Sequence, residues 1–164
     1  MQLGMHVAVD RDSAVALGAA ADDLALETLV EEIEERGRYL DSVDSDKAWD
    51  PILCALSPDG YDRTPSTWPA HGVVLGGRTL NVDEDAGLIT LLDPDQVAEV
   101  STFLTGVTEQ GFAELYRAMD PELRNPEFGD EELGYAWVNL VDLREFFARV
   151  AARGDLSVVF SVAY

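Results

Sequence analysis

Two short apolar segments, one near each end of the sequence, constrain the fold more than any other feature. Residues 3–9 read LGMHVAV and residues 156–162 read LSVVFSV. Successive side chains of a strand point to opposite faces of a sheet. In both segments, the residues on each of the two faces are mostly apolar or small. We therefore predict two interior strands, covered on both sides, that are neighbours in one sheet.

The residues between these strands carry mostly helical signals. Apolar residues recur at helical spacing within residues 12–36, with a break near Gly18, and again within 93–104, 109–119 and 130–153. In LLDPDQVAEV we expect Asp93 to cap a helix with Pro94 at its first position and Gln96 at the capping-box position. The prediction is a single α+β domain over residues 1–164. Its small mixed sheet includes the N- and C-terminal strands and is packed with several helices.

The charge of the chain bears on its partners. There are 32 acidic and 11 basic residues, which gives a formal charge of −21. Such a surface repels nucleic acid phosphates and anionic membranes, so we expect neither as a partner. It either attracts a basic protein partner or serves only as a self-repelling, solubilising surface. A strip of glutamates on one predicted helix is the first place to look for such a contact: Glu31, Glu32, Glu34 and Glu35.

The single cysteine, Cys54, limits the covalent and metal chemistry. An internal disulfide and a four-cysteine or Cys/His zinc site are excluded, and we expect Cys54 to be a small buried core residue. The N-terminal residues lack a basic stretch followed by a long apolar one, and no apolar run approaches the ~20 residues that span a bilayer. We therefore expect a cytoplasmic protein.

Residues 40–56, LDSVDSDKAWDPILCAL, concentrate aspartates around the single lysine. A helix that starts near Ser45 would place Asp44 or Ser45 at its cap and Asp46 in its first turn, near the positive end of the helix dipole. Lys47 would then lie within reach of Asp44 and Asp50. This interpretation predicts a helix start, with Trp49 buried beneath it.

A calcium loop is the alternative for the same segment, and its spacing is wrong. With Asp44 as the first ligand, Trp49 falls where glycine is needed and Ala55 where the bidentate glutamate belongs. Pro51 is the residue that fits the helix interpretation least, because its ring disturbs a helix interior, and we expect a distorted turn there. We predict neither metal ligands nor a cofactor.

The order of several segments resembles the YfbM-like family, a bacterial domain of unknown function. The segments are GMHVAVD, LDSVDSDKAW, LLDPDQVAEV, and the pair DEELGYAW and FFARVAARGDLSVVFSV. The resemblance covers nearly the whole chain and implies a compact α+β fold without an established reaction. This chain departs from the family at Leu53, where members often carry histidine, and at Asn125-Pro126, where they often carry Tyr-Pro.

The histidines and the long predicted loop of residues 57–71 complete the candidates. We expect His6 to be a packed or hydrogen-bonded strand residue and His71, beside Trp68, to lie at the surface. No G-x-S-x-G segment or other catalytic pattern is present, so we predict a small acidic binding or protein-interaction module. The alternative is a small-molecule-binding protein or enzyme with its site between the Trp68 and His71 loop and the helix of Trp49. The candidate binding residues are Asp44, Asp46, Lys47, Trp68 and His71.

Overall fold

Five strands form one sheet in the computed structural model, which describes residues 3–35, 39–58, 67–83, 87–124 and 129–163. The strands are β1, Gly4–Val9; β2, Asp41–Asp46; β3, Arg78–Thr79; β4, Gly87–Leu92; and β5, Ser157–Ala163. Their order is β2-β1-β5-β4-β3, so the terminal strands β1 and β5 are neighbours, as predicted. Every described pairing is antiparallel. The α+β class is confirmed, but the expectation of a mixed sheet is wrong.

Helices cover both faces of this sheet. They are α1, Arg11–Gly18; α2, Asp23–Glu35; α3, Trp49–Leu56; α4, Gly72–Leu75; α5, Pro94–Thr105; α6, Glu109–Ala118; and α7, Asp130–Arg153, with a short 3-10 helix at Pro121–Leu123. Val7 and Val9 of β1 pack in one cluster with side chains of α1 and α2. Ala8, which points the other way, belongs to a larger cluster that α3 to α7 supply. The period-two alternation of β1 thus accounts for its two buried faces.

The helix ends follow the signals in the sequence. Asp93 and Gln96 form the predicted capping box, with Pro94 in the first turn of α5. The break near Gly18 separates α1 from α2. Gly154 ends α7 with a φ of 76°, a left-handed conformation in which glycine avoids the strain of a side chain. Within the described ranges, no helix combines the length and apolarity that a bilayer crossing requires.

Residues 41–48 differ from the prediction. Asp41–Asp46 form the edge strand β2 rather than the start of a helix. The strand pairs with β1, and Arg149 of α7 donates to both carboxylate oxygens of Asp41, at 2.8 and 3.1 Å. These contacts come from distant parts of the chain, which is why the polar segment forms a strand without an apolar alternation of its own.

The observed start of α3 explains how the helix accommodates Pro51. The helix begins at Trp49, so Pro51 is its third residue. Backbone N–H groups in the first turn have no acceptor within the helix, so the proline sacrifices no internal hydrogen bond there. Trp49 is 3% exposed, and its predicted burial is confirmed.

Candidate functional site

A cleft opens at the edge of the sheet where β1 and β4 end. These two strands run in the same direction on either side of β5. The helix after β1 packs on one face of the sheet and the helix after β4 packs on the other. Because the two helices diverge, a space of about 920 Å³ remains beside the start of β5. Ligand sites in open α/β sheets arise in the same way, beyond the carboxyl ends of strands.

The two diverging helices start with the same local pattern. An Asp-X-Asp sequence follows each strand, as VDRD at residues 9–12 and LDPD at residues 92–95. The carboxylate of Asp10 accepts from the backbone N–H of Ser13 at 2.8 Å, and that of Asp93 accepts from Gln96 at 2.9 Å. The hydrogen bond from Ser13 lowers the pKa of Asp10 below its usual value. These caps fix both helix starts and place a carboxylate at each side of the cleft.

Charged groups of both signs line the cleft. The polar side chains are those of Asp10, Arg11, Asp12, Arg78, Asp93, Gln96, Asp155 and Ser157. Its apolar surface comes from Ala14, Val15, Leu91 and Pro94. Apolar walls with a small number of convergent polar groups are the usual composition of a ligand site. The cleft is therefore the candidate functional site.

The guanidinium of Arg78 lies at the C-terminal end of α1. Arg78 belongs to the two-residue strand β3, opposite Leu91. A Cβ at Gly18 would come within 2.2 Å of one guanidinium nitrogen, so the glycine leaves room for this group. The carbonyl groups at a helix C-terminus favour a nearby cation. Among the described residues, no ion pair includes Arg78 or Arg11.

The predicted binding residues Asp44, Asp46 and Lys47 lie at the opposite end of the sheet. Asp46 pairs with Gly4, at the start of β1, whereas the cleft lies beyond Val9. Asp46 has a φ of 46°, and its carboxylate accepts from the hydroxyl of Tyr135 at 2.6 Å. The same hydroxyl accepts from the backbone N–H of Lys47 at 3.2 Å.

This contact accounts for the turn between β2 and α3. Burial and the hydrogen bond to the carboxylate of Asp46 raise the pKa of Tyr135 to about 12, so the hydroxyl keeps its proton as a donor. Asp44 and Lys47 are exposed. The arrangement ties α7 to the turn, which is a structural role for Asp46.

The expectation that His71 lies at the surface is wrong. His71 is 2% exposed, and its Nδ1 lies 3.1 Å from the hydroxyl oxygen of Ser57, which itself is 0% exposed. The same hydroxyl lies 2.7 Å from Oγ1 of Thr67. This buried network joins the end of α3 to the segment before α4. Serine and histidine meet here, but both are enclosed, so the pair acts as a structural link.

Trp68, next to His71 in the chain, faces outward. It is 37% exposed, and its indole N–H donates to the carboxylate of Glu99 on α5 at 2.5 Å. A depression of about 440 Å³ lies beside this contact and is lined by Pro69 and by α5. Trp68 and His71 thus border α3 and α5, but they point to different surroundings. Residues 59–66 of the predicted loop and Asn125-Pro126 lie outside the described residues.

A second group of titratable side chains lies between α3, α6 and α7. The thiol of Cys54 donates to Asp50 over 3.7 Å, and burial, followed by the charge of Asp50, raises the thiol pKa to about 12. Tyr116 donates to Glu132, and burial, followed by that bond, raises the pKa of Tyr116. A protonated thiol is a poor nucleophile, and the predicted burial of Cys54 is confirmed. Across the described ranges, no three His, Cys, Asp or Glu side chains are placed to hold a metal ion.

The residues of the cleft were not predicted from the sequence as a site. Asp93 was recognised only as a helix cap, and Arg78 has no local signal because its strand has two residues. The repeated Asp-X-Asp pattern after two apolar strands was the available signal. This pattern predicts two carboxylates at one edge of the sheet only if β1 and β4 are known to run in the same direction.

Comparisons with known proteins agree with this fold. A family model described as a domain of unknown function, DUF1877, matches residues 1–160. YfbM from Escherichia coli, described as a protein of unknown function, has a similar solved structure with a TM-score of 0.69 and 16% sequence identity. The alignment covers 98% of this chain and 99% of that chain. The comparison with curated proteins found no match. At this identity the structural likeness shows the fold.

Proposed function

This chain belongs to the DUF1877 family, and from that premise we propose that it is a binding domain whose ligand lies in the cleft beside β1, β4 and β5. The observation that supports the proposal is the cleft itself, at about 920 Å³. Three further depressions on the described surface are smaller, at about 530, 440 and 180 Å³. Small-molecule sites have volumes of about 300–1,000 Å³.

Three of the side chains that line the cleft are held by hydrogen bonds before any ligand binds. Asp10 and Asp93 are fixed by hydrogen bonds to the first turns of their own helices. The side chain of Gln96 is also held, because its oxygen accepts from the backbone N–H of Asp93 at 3.0 Å. Side chains that are already ordered lose little conformational entropy when a ligand binds. This preorganisation is what a binding site needs.

A ligand screen with an occluding variant tests the proposal. Val15 lines the cleft and is 63% exposed, so Val15→Trp should fill it. Val138→Trp is the matched control, because Val138 is a helical valine of similar exposure, 60%, that does not line the cleft. A ligand at one hundred times its Kd stabilises the fold by about 2.7 kcal/mol. We expect thermal stabilisation by ligands of the wild type and of Val138→Trp, and its loss in Val15→Trp. Equal stabilisation of Val15→Trp would place the ligand elsewhere.

The charge of the chain supports a second proposal, that a basic protein partner binds the outer surface of α2. Glu31 and Glu35 are exposed and four residues apart, so they are neighbours on one helix face. Glu34 is half-buried instead, and it accepts a hydrogen bond from Ser161 of β5 at 2.5 Å. The exposed part of the glutamate strip is therefore smaller than the sequence indicates.

Association kinetics test this second proposal. A partner that recognises the strip should associate with the Glu31→Gln, Glu35→Gln variant more slowly than with the wild type, and the wild-type on-rate should fall steeply with salt. The matched control is Glu109→Gln, Glu122→Gln, which removes the same charge from exposed positions elsewhere. If both variants associate at the same rate, the strip is not the contact.

A further inference from the structure

We infer that the ligand of the cleft is dipolar: it carries a cationic group at one end, a carboxylate or another anion at the other, and an apolar body between them. This inference rests on the proposed function, since it names the chemical class that the same cleft would accept. It follows from how the charges are distributed along α1, which forms one wall of the cleft.

The acidic end of the cleft lies at the start of α1. Asp10 and Asp12 come from this end of the helix, and Asp155 comes from the turn before β5. Arg11 is the one cation among them. The ion pair between Asp155 and Arg153 is weak, because the two groups are 3.9 Å apart and their side chains are 71% and 56% exposed, respectively. An ammonium or guanidinium group of a ligand would find unshared carboxylate oxygens here.

The basic end of the cleft lies at the other end of α1. There the guanidinium of Arg78 lies over Gly18, and none of the ion pairs among the described residues includes it. Arg78 is exposed, so its guanidinium is open to a ligand. A guanidinium presents a planar fork of donors that matches a carboxylate.

Two backbone spans indicate the separation of the ends. From Arg11 to Gly18 the eight-residue helix α1 rises seven steps of 1.5 Å, or about 10 Å. From β5 across β4 to β3 there are two strand spacings, again about 10 Å. Asp155 precedes β5 and Arg78 lies in β3, so their backbones are about two strand spacings apart.

The surface between the ends is mostly apolar; Asp93, which follows β4, also lines it, with its carboxylate accepting from the backbone N–H of Gln96 at 2.9 Å. Ala14 and Val15 of α1 face the cleft opposite Leu91 and Pro94. An aliphatic or aromatic ligand body would bury this surface at about 25 cal/mol per Å². The walls therefore match a molecule whose middle is uncharged.

A ligand with a single charge fits less well. A simple anion would be repelled by Asp10, Asp12 and Asp155 at the acidic end of the cleft and by the net charge of −21. A simple cation would be attracted by that charge but would leave the guanidinium of Arg78 without an anionic partner. Only a dipolar ligand satisfies both ends.

Three matched probes test the inference: 6-aminohexanoate, hexanoate and hexylamine, which share a chain and differ in charge. Binding is followed by NMR from the backbone amides of Val15, Arg78 and Ser157. We expect 6-aminohexanoate to bind at least about fivefold more tightly than either single-charge probe, the ratio that one exposed ion pair of ~1 kcal/mol supplies. Arg78→Gln should abolish its advantage over hexylamine, and Asp12→Asn with Asp155→Asn should abolish its advantage over hexanoate. The control variants Arg117→Gln and Glu109→Gln, on α6, should change neither ratio.

The outcomes separate this inference from the proposed function. Hexylamine that binds as tightly as 6-aminohexanoate, with no effect of Arg78→Gln, would overturn the dipolar ligand and leave the cleft as a cation site. Library ligands that bind the cleft without carrying both charges would also overturn it, again leaving the proposed function intact. A cleft that binds neither probes nor library ligands would overturn both. Thermal melting of each variant identifies any that fails to fold, and in that case Arg78→Ala and Asp155→Asn alone give the same comparison.

Discussion

The Nε2 atom of His6, in β1, lies 3.0 Å from the carbonyl oxygen of Val73, in α4, inside the core. The other ring nitrogen, Nδ1, has no hydrogen-bond partner among the described residues. The rings of Phe146, Phe147 and Phe160 surround the imidazole. Burial, opposed in part by the hydrogen bond, lowers the pKa of His6 to about 4. The imidazole is therefore neutral in the folded protein at physiological pH, with its proton on Nε2.

The buried imidazole predicts a loss of stability in mild acid. The unfolded chain binds a proton at His6 below a pKa of about 6.5, while the folded chain does so only near 4. The free energy of unfolding should therefore fall as pH decreases from about 6.5 towards 4, by up to about 3 kcal/mol. Urea unfolding at several pH values measures this. In His6→Gln the part of the pH dependence that begins near 6.5 should be absent, and an unchanged slope would assign it to other groups.

Trp49 should be a major contributor to the core. Its ring lies 6.0 Å from that of Phe160, and a Cβ at Gly4 would come within 2.6 Å of it, so the site is closely packed. Trp49→Ala should lower the free energy of unfolding by roughly 3–5 kcal/mol. Trp68→Ala, at a position that is 37% exposed, is the control and should have a clearly smaller effect. Similar losses in the two variants would contradict the burial argument.

The ion pair between Arg149 and Asp41 should stabilise the edge strand measurably. Its two hydrogen bonds lower the pKa of Asp41, so this contribution is present above pH ~4 and is lost as pH falls through the depressed folded-state value. A double-mutant cycle with Arg149→Gln and Asp41→Asn should give a coupling of about 0.5–1 kcal/mol at neutral pH. The same cycle for Arg153 and Asp155, 3.9 Å apart, should give a coupling near zero. Equal couplings would mean that the bidentate geometry adds nothing.

The net charge of −21 predicts a dependence of stability on salt. Repulsion among surface carboxylates destabilises the compact state, and 0.1 M salt screens such charges beyond about 10 Å. The melting temperature should therefore rise between very dilute buffer and moderate concentrations of sodium chloride. A fall over the same range would show that attractive pairs such as Arg149 with Asp41 outweigh the repulsion.

The features that could be predicted from the sequence are those with short-range causes. The capping box of Asp93 and Gln96 needs only neighbouring residues. The burial of β1 and β5 follows from apolar residues on both of their faces. In both cases the pattern in the sequence and the physical cause occupy the same few residues.

The features that were missed depend on contacts across the chain. Asp41–Asp46 forms a strand because β1 pairs with it and α7 reaches it, neither of which is visible in DSVDSD. The buried ring of His71 meets the hydroxyl of Ser57, fourteen positions earlier, and that hydroxyl also contacts Thr67. The cleft requires knowing that α1 and α5 leave the sheet on opposite faces. Local periodicity has no information on these relationships.

The central place of β5 has a consequence for the order in which the protein folds during synthesis. Until residues 157–163 have left the ribosome, β1 has only β2 as a partner in the described sheet, and β4 has only β3. Two-stranded ribbons of this kind are marginally stable alone. Residue 6 then pairs with residue 160, a contact of very long sequence separation, and such contacts slow folding. A nascent chain that stalls before residue 157 would expose the apolar faces of both ribbons and depend on chaperones to stay soluble.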